Sequence, residues 1–125
     1  KLPSITKKRI YNAKYIDQQL KKIKQIYIPS RKKNLKEVFH LYSFQAKKRD
    51  NLIKFLNSKG IDAKQHYPIP MHLQSPLKKK FNYKKGDFPI AERLSNETIS
   101  LPVHEFLNTS QLKYMCDQIK EFYLK

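Results

Sequence analysis

Three prolines fall within nine residues, at positions 68, 70 and 76, and they divide the chain. Proline locks φ and removes a backbone donor, so neither a helix interior nor a central strand passes through this stretch. It also pushes the residue before it toward extended conformations. His66-Tyr67-Pro68-Ile69-Pro70-Met71-His72-Leu73-Gln74 therefore reads as a stiff, extended loop, with the regular elements on either side. The 125 residues suit a single domain, 1–125, with one core. Leu, Ile, Val and Phe make up about 27% of the chain, above the roughly 20% that marks disorder.

Before the loop, Ile5, Ala13, Ile16, Leu20 and Ile23 recur at helical spacing, with lysines between them, so 5–23 reads as an amphipathic helix. Pro3-Ser4 marks its start. Residues 25–35 read as a connection. Glu37 through Phe44 is β-rich with apolar side chains on both faces, which predicts a central strand with His40 packed in it. Residues 48–59 read as a helix with Asp50 near its positive end. Gly60 is the expected left-handed stop, which would bring Ile61 against Leu56. Ile61 to Tyr67 reads as a second strand.

After the loop, one or two helical turns are expected over 76–82 and a turn at Lys84–Asp87. A short helix follows from Pro89 to Asn96, then a third strand at Ile99–Leu101. The last helix, 109–123, has an Asn108…Gln111 capping pair and a Leu107/Leu112 staple. The order predicts an α+β sandwich: a small mixed or antiparallel sheet of about three strands, helices mostly on one face.

Charge and chemistry narrow the function. Lys outnumbers Arg 23 to 4 and the net charge is +17. Such a field attracts polyanions, but base and phosphate recognition favours the bidentate guanidinium. Coding bias explains a lysine excess spread along the whole chain equally well. Two glycines cannot make a glycine-rich phosphate cradle. Cys116 is the single cysteine, which fits a reducing compartment and reads as a buried, inert thiol on a helix. His66 and His72 have no third metal ligand at a characteristic spacing. No apolar run approaches the ~20 residues of a membrane span. The loop 66–74 is thus the leading candidate site, since stiff loops displaying polar side chains are where binding residues concentrate. A crossover whose His and Tyr merely cap strand ends accounts for the same composition equally well.

These pieces, in this order, resemble the C-terminal part of the DegT/StrS-type sugar aminotransferases, pyridoxal-phosphate enzymes of the aspartate-aminotransferase fold type. The resemblance rests on Lys8-Arg9…Asn12-Ala13, on Val38–Tyr42 and on Arg49-Asp50…Gly60-Ile61. It rests further on His66–Gln74, on Gly86-Asp87-Phe88-Pro89-Ile90-Ala91-Glu92, on Ser100-Leu101-Pro102 and on Leu107–Gln111. It implies the small domain of such an enzyme, with the cofactor-binding domain upstream. Lys1 is not an initiator methionine, and the expectation is a domain or fragment of a longer cytoplasmic protein, inactive alone. The full enzyme is implied to be a homodimer that moves an amino group, from a donor such as glutamate, to a keto-sugar nucleotide in polysaccharide biosynthesis. The form of the 66–74 run suggests C3 of the sugar. His66, Tyr67 and His72 are implied to face the substrate with Gln74 behind them. No catalytic, cofactor-binding or metal-binding residue is assigned to this chain. A sugar dehydratase of the same family, a basic nucleic-acid-binding module (disfavoured, because its aromatics are accounted for as core) and a non-catalytic remnant are the alternatives.

Overall fold

The computed structural model describes residues 1–124; Lys125, the last residue of the expected domain, lies outside them. The chain folds as α1 (Leu2–Leu20), β1 (Ile26–Tyr27), β2 (Tyr42–Ala46), α2 (Arg49–Ser58), α3 (Ser75–Phe81), α4 (Pro89–Glu97), β3 (Thr98–Leu101) and α5 (Thr109–Leu124), with a 3-10 turn at Met71–Leu73 before α3. The sheet has the order β1-β2-β3 and both pairings are antiparallel. This is the expected α+β fold with a three-stranded sheet.

Periodicity explains the core. Along β2, Tyr42, Phe44 and Ala46 are buried, while Ser43 and Gln45 on the other face are half-buried. Phe44 is paired with Ile99 and Tyr42 with Leu101, so one sheet face is apolar from strand to strand. The Ala13–Ile16–Leu20 stripe of α1, Leu52 and Leu56 of α2, and Leu112, Cys116 and Ile119 of α5 fill the core. Each fully buried aliphatic side chain contributes about 1.5–3 kcal/mol of transfer free energy. Cys116 is buried as expected, and burial pushes its thiol up to about 12.

The helix ends follow their sequence signals. Gly60 takes φ 74°, its amide donates to Asn57 O, and Ile61 N–H donates to Leu56 O at 3.0 Å, a complete Schellman ending for α2. At α5, Asn108 N–H donates to Gln111 Oε1 (3.0 Å) and Gln111 N–H donates to Asn108 Oδ1 (2.9 Å), a reciprocal capping box.

The strands differ from the sequence reading in three places. Residues 37–41 are not strand: Phe39 takes φ 51°, Val38 and Leu41 are exposed, and His40 is exposed rather than packed. Arg9 of α1 holds this bend by donating from Nη1 to the Phe39 and His40 carbonyls. The expected strand 61–67 contracts to a single bridge between Lys64 and Ser100, because the chain turns toward Pro68. The edge of the sheet is instead β1, a two-residue strand inside the expected connection.

Candidate functional site

The 66–74 loop leaves the sheet at the Lys64–Ser100 bridge and ends at the start of α3. Tyr67, Ile69 and Met71 are well exposed, with Tyr67 at 75%. His66 is half-buried, with its ring edge-on to Tyr67. Its Nδ1 is shielded from solvent and has no hydrogen-bond partner among the described residues. Gln74 is exposed, and its Nε2 donates to Ile69 O across the loop. His72 differs: its ring is turned inward, 6% exposed, beside Phe88 and edge-on to Tyr83.

What holds the loop is α4, the helix that follows Pro89. Glu92 Oε1 accepts from the Gly86 amide at 2.7 Å and lies 3.1 Å from His72 Nε2. The Gly86 amide foremost, with His72 and the Phe88 amide assisting, holds the Glu92 carboxyl below its ordinary value of 4.5. One turn later, Ser95 Oγ is within 2.9 Å of Tyr67 O and 3.0 Å of Pro68 O. The loop contains two prolines that lack a donor, so its carbonyls find a hydroxyl rather than a ladder partner.

Arg49 sets the helix in turn. Its guanidinium is buried and donates to Ser95 O (3.1 Å) and Thr98 O (2.6 Å), capping the carbonyl end of α4, while Asp50 takes its Nε. With its amide turned to satisfy both groups, Gln65 presents its oxygen to the same guanidinium at 2.8 Å. Sequence reasoning named Arg49 only within the Arg49-Asp50 piece of the resemblance and gave it no role. One signal would have singled it out: Arg occurs four times against 23 Lys. Arg9, Arg31 and Arg49 all bind partners far away in sequence.

Larger clefts lie elsewhere. One of about 500 Å³ runs between α1 and residues 31–39, and another of about 500 Å³ lies between Gly60–Asp62 and the start of α5. Neither is lined by the loop. No group of three or more His, Cys, Asp or Glu among the described residues could hold a metal ion. No helix among them is long and apolar enough to cross a membrane.

A three-stranded antiparallel sheet under this helix arrangement, carrying a braced proline loop, defines the class: the small α+β unit found in sugar aminotransferase structures. The family model for the DegT/DnrJ/EryC1/StrS aminotransferase family matches residues 1–120, and the chain belongs to that family. Among curated proteins it is 43% identical over 86 residues to a pleiotropic regulatory protein of Geobacillus stearothermophilus, covering 69% of this chain and 23% of that protein. It is 34% identical over 85 residues to the dTDP-3-amino-3,4,6-trideoxy-alpha-D-glucose transaminase of Streptomyces venezuelae, covering 68% of this chain and 22% of that one. The crystal structure of S. venezuelae DesV in complex with a ketimine intermediate superposes with a TM-score of 0.92 at 27% identity, over 98% of this chain and 33% of that one. The chain thus spans between a fifth and a third of the length of these relatives.

The family is one of pyridoxal-phosphate-dependent aminotransferases. The residues described here do not fit that cofactor by themselves. Lys8 and Lys120 are half-buried, the other described lysines are exposed, and none sits in the walled, water-excluded site that a Schiff-base amine requires. Chemistry at the cofactor is therefore assigned to no residue of this chain.

Proposed function

We propose that this chain is the C-terminal small domain of a nucleotide-sugar aminotransferase. In that enzyme it forms one wall of a cleft whose pyridoxal-phosphate site lies in a preceding domain. The family match over residues 1–120 is the observation that carries the reading. The loop 66–74 is the part of the wall that meets the sugar nucleotide. His66, Tyr67 and Gln74 offer imidazole, phenol and amide groups from a loop with little freedom; His72, which the resemblance implied to face the substrate, is 6% exposed and backs them, exchanging places with Gln74. Their work is hydrogen bonding and orientation of the sugar, since a stiff support lowers the ordering cost of binding.

Transfer to C3 of the sugar is the finer reading. It is supported by the form of the 66–74 run and by relatives named as 3-amino-sugar transaminases from Streptomyces venezuelae and Aneurinibacillus thermoaerophilus. Glutamate is the proposed donor, a homodimer the proposed assembly and the cytoplasm the proposed setting.

The test uses the gene product that contains this chain, incubated with glutamate and a 3-keto or a 4-keto sugar nucleotide. The expected result is release of 2-oxoglutarate and an aminated sugar with the 3-keto acceptor. Release with the 4-keto acceptor alone would overturn the position. A deoxygenated sugar, its hydroxyl lost as water, with no aminated product from either acceptor would point to the dehydratase chemistry instead.

A further inference from the structure

The geometry points to Glu92 as a positioning residue for the 66–74 loop, with His72 as the side chain through which it acts. This rests on the reading of that loop as substrate-facing. Only 13% of the Glu92 side chain is exposed and its Oε1 is taken by loop and turn partners, so its proposed action is through them. Its one carboxylate oxygen joins three pieces of chain that would otherwise be held only by their neighbours: the Lys84–Asp87 turn through the Gly86 amide, the 3-10 turn through His72, and α4 itself. The pair is shielded, with side-chain exposures of 7% for His72 and 13% for Glu92, so water competes poorly for either partner. Phe88 and Tyr83 pack on the imidazole and leave it one orientation. His72 is four residues past Pro68, in a stretch where Pro68 and Pro70 remove most backbone freedom. Fixing His72 therefore fixes one end of the loop, and Ser95 fixes the other at Tyr67 O and Pro68 O.

The consequence is specific. Loss of the Glu92 oxygen should loosen Ile69–Gln74, the end that Ser95 does not hold, while leaving the core, which shares no residue with this cluster, intact. Only the step that uses the loop should suffer. Displacements of about 1 Å at a positioning surface can cost up to about a hundredfold in rate or binding.

The experiment measures Glu92→Ala, Glu92→Gln, His72→Ala and the Glu92→Ala/His72→Ala double variant in the gene product that contains this chain. It reads the KM for the keto-sugar acceptor, kcat, the rate of the half-reaction with the amino donor alone, and backbone ¹⁵N order parameters at Ile69, Met71 and Leu73. The expected result is an acceptor KM raised about tenfold in Glu92→Ala, with kcat and the donor half-reaction within about twofold. Glu92→Gln keeps an oxygen for the Gly86 amide and should recover part of the loss. The double variant should be no worse than the worse single, because both break one tie. Order parameters at the three amides should fall in every variant that raises KM. Unchanged order parameters in Glu92→Ala would overturn the tie itself. Lowered order parameters with an unchanged KM would overturn the substrate-facing reading on which the assignment stands. A donor half-reaction slowed as much as the full reaction would show damage to the whole fold and also overturn it.

Discussion

Two irregular stretches, 31–41 and 64–74, are of similar length and are held in opposite ways. In 31–41 the anchors are two half-buried arginines: Arg9 donates to the Phe39 and His40 carbonyls, and the rest of the hold is ionic. Arg31 grips Asp17 with two donors at 3.1 Å, reaches Glu37 at 3.0 Å, and lies over the rings of Phe39 and Tyr42. Around it Leu35, Val38 and Leu41 are exposed. In 64–74 the anchor is neutral or shielded: a buried arginine on carbonyls, a serine hydroxyl on carbonyls, and a carboxylate screened from water. Ion pairs that keep contact with water, as the half-buried Arg31–Asp17 pair does, weaken with salt. Hydrogen bonds to buried groups cost much more to break, because the abandoned partner cannot return to water. The same coil-like backbone thus yields one tether that salt loosens and one that salt leaves in place. The proposed substrate edge is the second kind.

Variants that remove each anchor should rank accordingly. Arg49→Ala strips the donors from Ser95 O and Thr98 O, and chemical denaturation should show a loss of about 3 kcal/mol. Arg49→Lys should recover less than half, since a point charge on a flexible stem cannot serve both carbonyls. Ser95→Ala leaves Tyr67 O and Pro68 O without a donor and should cost about 1–2 kcal/mol by the same measurement. Arg31→Ala should cost about 1 kcal/mol at low salt and measurably less at about 1 M salt, the ring contacts on Phe39 and Tyr42 keeping the remainder. A larger loss at Arg31 than at Ser95 would break the comparison.

A pH titration sharpens it further. The Glu92 carboxyl titrates below its ordinary value in the folded chain, so the tie is fully present above about 4.5 and is lost as pH falls through the lower folded value. Amide shifts at Gly86 and in 71–74 should move together in that acid range, and in Glu92→Gln that shared transition should vanish.

The elements that position the two stretches were legible in the sequence. The α1 stripe, the Gly60 ending and the Asn108–Gln111 box are local patterns, and local patterns survive folding. The loop itself was legible from Pro68, Pro70 and Pro76. What escaped depends on partners far along the chain. Val38, Phe39 and Leu41 carry strand propensity, but Arg9, about 30 residues earlier, holds the bend that denies them a partner strand. β1 exists because β2 needs an edge, and its two residues offer no period to read. The ties from Glu92 and Ser95 span 20 to 28 residues, so only the composition of the Gly86–Glu92 run hinted at them.

The comparison is tested most directly by ¹⁵N relaxation of the backbone at about 0.05 M and about 1 M salt. The account predicts order parameters near 0.8, the usual rigid-backbone range, for His66–Gln74 at both salt concentrations, while those of residues 31–41 fall at high salt. Residues 66–74 falling below about 0.6 at either concentration, or both stretches responding alike, would contradict it.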